Sequence, residues 1–307
     1  MLGLWLATCG AWHFSTVTAG FTPPDPREFG ALTVVAVGTG NAYENPARRG
    51  PCTGVALGQR VVLVDAGRGV AEGLRLAGIP ARQPEAVLLS NLLPENTVGL
   101  DDLVLAAWLD GRREPLQIAG PPGTRELVTR LSQAHAPALA AQAAALGLPA
   151  PAAPLVEELG GGAQLAFGEL ALRAGDLPGG PLPALAFRFE ARGRSAVIAG
   201  TGWAPDALAD FARGAGLLLH EASFSLAAEQ APALELSPEE LEPLLKQARL
   251  HTSVRDVGPL ARRAGVSILG LVRLRPPPVF RLQLQSVVDD DFEGSIWIPE
   301  DGDALEP

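Results

Sequence analysis

Short apolar runs broken by glycine, proline and asparagine recur along the chain, and they predict strands bounded by turns. "ALTVVAV" (31–37) is the first, and the loop after it, "GTGNAYENPARRGPCTG", is dense in turn formers. "GVALG" and "RVVLVDAG" read as two further strands joined by the tight turn "GQR". "GVAEGLRLAGI" has helical spacing and stops at Gly78 and Pro80. "AVLLS" is a buried strand, and the pattern after it predicts a helix over Val98–Asp110 that Gly111 ends. "PLQIAGPPGTRELVTRLSQAH" predicts a strand, a turn and a helix, with a separate alanine-rich surface helix over Pro137–Ala152. The second half keeps the rhythm. "ELALRAG", "PALAFRFE" and "RSAVIAG" are strands, "APDALADFARGAG" a helix and "LLLHEASF" a strand with its loop. "SPEELEPLLKQA" is a capped helix, "SVRDVGPLARRAG" another, and "VSILGLV" a strand. The same order met twice predicts two β-sheets packed as a sandwich and flanked by helices, a layered α/β architecture.

Composition narrows what such a sandwich does. The 307 residues are 47% apolar, enough for a sizeable core, and the net charge is −10. That balance argues against nucleic acid as a partner, because phosphate binding draws on clustered Lys and Arg. The pairs Arg48-Arg49, Arg112-Arg113 and Arg262-Arg263 are short, separate and read as solvated surface. Cys9 and Cys52 are too few for a disulfide framework or a cysteine-rich zinc site. Residues 1–30 form an apolar, proline-rich leader, and 31–307 are expected to make a single domain. The opening "MLGLWLATCGAWHF" is too short to span a bilayer and lacks a basic start. "LATC" is similar to a bacterial lipoprotein cleavage box, so lipidation of Cys9 is the one route to a membrane. The alternatives are a cytoplasmic chain with an apolar end, or a start codon misplaced at Met1.

The order "VVAVGTGNAYENPARRGPCTG", "VVLVDAGRG", "SNLLPENTVGLDD", "GPPGT", "LLLHEASF", "HTSVRDVGPLARRAG" and "FEGSIWIPEDG" carries a resemblance over roughly residues 31–303. Together these segments resemble the metallo-β-lactamase fold. Within it, they are most similar to the branch of ribonuclease Z and the arylsulfatase/phosphodiesterase-type hydrolases. The resemblance implies an αββα sandwich and, at one edge of the two sheets, a dinuclear site that is usually zinc. It implies an HxHxDH loop, a later histidine, a bridging aspartate and a last histidine, because zinc takes nitrogen, sulfur or anionic oxygen donors.

On this chain the HxHxDH positions fall on Asn91, Leu93, Glu95 and Asn96. The later histidine falls on Gly179 or Gly180, the bridging aspartate on Thr201 and the last histidine on Arg273. Only Glu95 is an anionic donor. The chain has four histidines, His13, His135, His220 and His251, and no H-x-H or D-H pair. The expectation is therefore a chain without the family's zinc site and without any other cofactor. Arg273 is expected to pair with Glu95, with Asn91, Asn96 and Thr201 filling the remaining hydrogen bonds. Asp65, at the end of its strand, is expected to satisfy loop N–H groups, and His220, Glu221 and His251 to lie near the cleft.

Two functions follow. One is a scaffold or binding protein whose cleft takes a small anion on Arg273 and the "GTGN" amides, alone, as a homo-oligomer or beside an active paralogue. The alternative is a hydrolase of phosphodiesters or sulfate esters with a rebuilt centre, Glu95 acting as general base with His251 or His220, or a hard metal on Glu95, Asn91 and Asp65.

Overall fold

The computed structural model describes residues 24–41, 45–201, 203–223, 237, 239–240, 242–243, 246, 251–275, 288 and 291–307. The expectations for Cys9, His13 and the leader up to residue 23 lie outside these residues. So does most of "SPEELEPLLKQA", although Ser237 and Glu240 at its start cap each other: each backbone N–H donates to the other's side chain.

Two seven-stranded sheets share one plan. The first holds β1 (Phe29–Gly38), β2 (Cys52–Gly58), β3 (Arg60–Val64), β4 (Ala86–Leu88), β5 (Gln117–Gly120) and β6 (Leu155–Glu158). The second holds β7 (Gln164–Phe167), β8 (Leu170–Asp176), β9 (Leu185–Ala191), β10 (Arg194–Ala199), β11 (Leu217–Ser223), β12 (Ile268–Arg275) and β13 (Ser295–Trp297). β14 (Ala304–Leu305) returns to the first sheet as the neighbour of β1. In each sheet a run of antiparallel strands, β1 to β3 or β7 to β10, gives way to parallel neighbours, β3 to β6 or β10 to β13.

Alternation along the strands builds three cores. Val62, Val64 and Leu88 from the first sheet meet Phe187, Phe189, Ile198 and Leu219 from the second, and this layer joins the sheets. The other faces of β1, β3 and β4, with Val35, Leu63 and Val87, pack under α1 (Val70–Leu76), α3 (Leu100–Leu109) and α4 (Thr124–Leu146). Val197, Leu218 and Leu269 pack under α5 (Pro205–Phe211) and α6 (Val254–Ala264). The sequence is helices, sheet, sheet, helices, as expected.

The boundaries differ in three places. The helix expected over Val98–Asp110 is split: α2 (Pro94–Thr97) is a single turn begun by Pro94, and α3 follows from Leu100. α4 runs straight through Pro137 to the left-handed Gly147, so the helix expected over Pro137–Ala152 is its second half and no separate element. Proline is tolerated there because Pro137 and Gln133 both face solvent, where water can take the carbonyl left without a donor. Finally, β6, β7, β13 and β14 are two to four residues long and mostly part-exposed, and no apolar run announces them.

Phe187 is fully buried between the sheets. Phe187→Ala is expected to lower stability by about 3–5 kcal/mol, read as a drop in the urea midpoint at unchanged slope.

Candidate functional site

The chemistry-bearing residues collect where β3, β4, β10, β11 and β12 end, at the carboxyl edge of both parallel segments. Crevices outside the carboxyl ends of strands are where open α/β sheets bind ligands.

Asp65 follows β3 and has a left-handed φ of 63°, uncommon for a residue with a Cβ. Its N–H donates to the Leu88 carbonyl at 2.8 Å, which ties the turn to β4. Its carboxylate is fully buried and accepts from the Ser90 N–H (2.8 Å) and the Ser90 hydroxyl (2.9 Å). The third donor is Arg273, whose Nη2 lies 2.5 Å from Oδ2. Burial raises the Asp65 carboxyl above its ordinary value, while Arg273 and Ser90 pull it back.

Arg273, near the end of β12, is also left-handed, at φ 54°, and only 7% exposed. Its backbone N–H donates to the Thr39 carbonyl. Its Nη1 donates to Asn96 Oδ1 and to the Gly200 carbonyl, both at 3.0 Å. The expected pairing with Glu95 is therefore corrected: the carboxylate partner is Asp65. Glu95 sits part-exposed on α2 and makes no hydrogen bond or ion pair with any described residue, because the turn begun at Pro94 points Asn96 inward in its place.

Asn96 relays the contact. Its Nδ2 donates to Asn91 Oδ1 at 2.7 Å, and the same oxygen accepts from the Leu93 N–H at 2.9 Å. The segment is held from below by hydrogen bonds from the Ala66 N–H to the Asn96 carbonyl and from the Gly99 N–H to the Ala66 carbonyl. A Cβ on Gly200 would come within 2.3 Å of the Ser90 hydroxyl and 3.2 Å of Asp65 Oδ2, so a side chain there would displace the contact between them. Gly180 leaves the space that the Trp203 ring occupies.

Two of the "GTGN" amides, those of Thr39 and Gly40, are already engaged within the chain. The Thr39 N–H and hydroxyl donate to Asp301 Oδ1 at 2.8 and 2.7 Å, and the Gly40 N–H donates to the Arg49 carbonyl. Asp301, from the "PEDG" segment, also accepts from the Arg49 N–H.

On the second sheet, buried His220 places Nδ1 3.4 Å from the Ala199 carbonyl and Nε2 3.1 Å from the Thr252 hydroxyl. Nδ1 is then the donor and Nε2 accepts from Thr252, the pattern of a neutral ring. Burial lowers its pKa, and the nearby Arg273 adds to the shift. His251 Nδ1 lies 2.7 Å from Glu221 Oε2, so the partner of His251 is Glu221 and not Glu95. Burial pushes the Glu221 carboxyl up, but the His251 contact and the nearby His220 and Arg273 together leave the group below its ordinary value. Asn91 Nδ2, Thr201 Oγ1 and Glu221 Oε1 are buried and find no hydrogen-bond partner among the described residues. Among the described residues, no group of three or more His, Cys, Asp and Glu side chains is arranged to hold a metal ion. Sequence reasoning passed over Thr252, the Gly200 carbonyl and Asp301; a lone aspartate next to a tail glycine was the only signal for the last.

Comparison with known proteins fits this frame. No family model matches the chain. Curated relatives do: the ribonuclease Z of Mycobacterium sp. (strain KMS) is 33% identical over 250 residues, which is 80% of this chain and 85% of the relative. The ribonuclease Z of Mycobacterium bovis (strain BCG / Pasteur 1173P2) is 30% identical over 279 residues, 88% of this chain and 96% of the relative. The chain belongs to the ribonuclease Z family. Its fold is that of the metallo-β-lactamases. The Bacillus subtilis metallo-β-lactamase fold protein YhfI superposes with a TM-score of 0.68 at 18% identity, over 90% of this chain and 99% of that one. The short form of human tRNase Z superposes at 0.63 and 19%, over 90% and 100%. In this ribonuclease Z relative, then, the carboxyl edge of the family sandwich holds a guanidinium bound to Asp65.

Breaking the pair has a defined signature. Arg273→Met and Asp65→Asn are each expected to cost about 3–5 kcal/mol, because each strands a buried charge or its donors. The double variant should lose at least about 1 kcal/mol less than the sum, and Glu95→Gln should stay within about 0.5 kcal/mol of the parent. Urea titrations of the four proteins check this, and strict additivity would refute the assignment.

His220 predicts a pH dependence. Its folded pKa lies below the unfolded one, so the unfolded chain binds the extra proton as pH falls through about 6.5. Stability should decline from pH 7 towards pH 5 by up to about 1.4 kcal/mol per unit, and His220→Gln should flatten that slope. Glu221, depressed, contributes stability that is lost only lower, as pH falls through its folded value below the ordinary carboxylate range. The two windows are separable in denaturant melts.

Proposed function

We propose that this ribonuclease Z relative is a non-catalytic member of its family, a scaffold or binding protein whose metal edge has been rebuilt as a metal-free polar cluster. The observation that carries the reading is the seat of Arg273, with Asp65, Asn96 and the Gly200 carbonyl as partners. By the family resemblance, Arg273 and Asn96 stand at metal-ligand positions.

The donor set does not fit the family's pair of cations. Leu93 has no donor atom, Asn91 Oδ1 is already taken by Asn96 and the Leu93 N–H, and Thr201 offers a neutral hydroxyl. Amides suit hard cations better than zinc. Arg273 also brings to this edge the positive charge of a guanidinium. A dication held about 4 Å from it would be repelled by about 8 kcal/mol at an effective dielectric near 20, which removes most of what a structural zinc site gains.

A second reading, favoured by one contact, is a hydrolase of phosphodiesters or sulfate esters with a rebuilt centre. Glu221 fixes the tautomer of His251 through Nδ1, which leaves Nε2 as an oriented base. Elemental analysis of untagged protein, together with turnover of bis(p-nitrophenyl) phosphate and p-nitrophenyl sulfate, separates the two. The proposal expects well under one equivalent of zinc or manganese and no turnover above buffer. Two tightly held equivalents with turnover would refute it. Metal-free turnover abolished by His251→Gln would establish the second reading.

A further inference from the structure

Between α3, α4 and the segment after α4 lies an apolar hollow of about 320 Å³, apart from the cluster around Arg273. Its walls are Val104 and Leu105 of α3, Leu131 and Leu139 of α4, and Pro151 and Pro154. Protein interiors are close-packed, and a hollow of this size with apolar walls falls in the range that binds small molecules.

The walls lie in an unusual stretch of sequence. Residues 131–156 contain no Asp, Glu, Lys or Arg, although 19% of the chain is charged. Alanine at positions 136, 140, 150, 152 and 153 keeps the hollow from filling with its own side chains.

One end is polar and acidic. Asp101, Asp102, Ser132 and His135 line it. His135 Nε2 lies 2.8 Å from Asp101 Oδ2, and both side chains are more than a third exposed. The Asp102 carboxylate accepts from the Ala71 N–H and lies near Glu72, a second negative charge. The start of α3 helps to carry the two aspartates through the helix dipole. It does not account for an apolar hollow behind them.

We infer that this hollow is a binding site for a small amphipathic cation, an aliphatic or aryl amine whose apolar body fills the space between α3 and α4 while its ammonium group meets Asp101 and Asp102. Charge complementarity selects this occupant. A second copy of the chain is disfavoured on two counts: a two-fold contact would set hollow against hollow and leave a void, and it would face the acidic rim with itself. A fatty acid would bring a like charge to the same rim.

Calorimetric titration of the full chain at pH 8 with n-octylamine, n-octanol and octanoate tests the site. Octylamine is expected to bind about five-fold tighter than octanol, the scale of a half-exposed ion pair, and octanoate more weakly than either. Ala140→Trp, at an exposed position on the wall, is expected to abolish binding of all three. The double variant Asp101→Asn/Asp102→Asn should erase the preference for the amine and keep octanol binding. Circular dichroism melts establish that each variant is folded, and Ala136→Trp serves if Ala140→Trp is not. The inference fails if no ligand binds, if the three bind alike, or if the filled variants bind as the parent does. It fails equally if sedimentation shows a dimer that Ala140→Trp dissociates and octylamine does not, since the face would then be a self-interface.

Discussion

A buried guanidinium facing a buried carboxylate holds the open end of this sandwich together. Asp65 and Ser90 belong to the first sheet, Gly200 and Arg273 to the second, and the contacts among them cross from one layer to the other. Such pairs add little net stability over an apolar substitute, because both charges must leave water. What they add is a fixed geometry. Both partners adopt left-handed backbone conformations at a cost of about 1–3 kcal/mol each, and such outliers persist only where the surroundings over-determine them. The Ser90, Leu88, Asn96 and Thr39 contacts supply that constraint.

The rest of the edge follows from the pair. Asn96 is turned inward because Arg273 needs an acceptor, Asn91 is turned to Asn96, and Gly200 is kept bare so that its carbonyl reaches the same guanidinium. Burial lowers the pKa of His220, and the positive charge of Arg273 close by adds to the shift. Loops shared with the family keep their form for mechanical reasons: the "GTG" turn is clamped by Asp301, and Gly99 allows α3 to start against the turn after Asp65.

The layered architecture and most strands were legible in the pattern of apolar residues, because β1, β3 and β11 are apolar runs buried on both faces over most of their length and β9 alternates towards its end. The short strands β6, β13 and β14 were not, since each is held by a partner distant in sequence and carries no pattern of its own. Of the residues expected at the edge, Asp65, Asn91, Asn96 and Arg273 are joined by hydrogen bonds. Their pairing was not legible in the sequence. Asp65 and Glu95 are equally good carboxylates on paper, and only the single turn that Pro94 starts, which leaves Glu95 part-exposed, decides between them. The Thr39 amide of "GTGN" was hard to place for a similar reason, because its acceptor, Asp301, lies 262 residues away.

That distance bears on how the molecule is made. β1 leaves the ribosome well before Asp301, which follows Thr39 by 262 residues, yet one of its edges is completed by Ala304 and Leu305 and its terminal turn by Asp301. Until then a nascent chain presents an apolar strand with unpaired amides, the kind of template that recruits foreign strands. Native closure of the first sheet thus waits on the segment that carries Asp301 and β14, however quickly β1 and β2 pair.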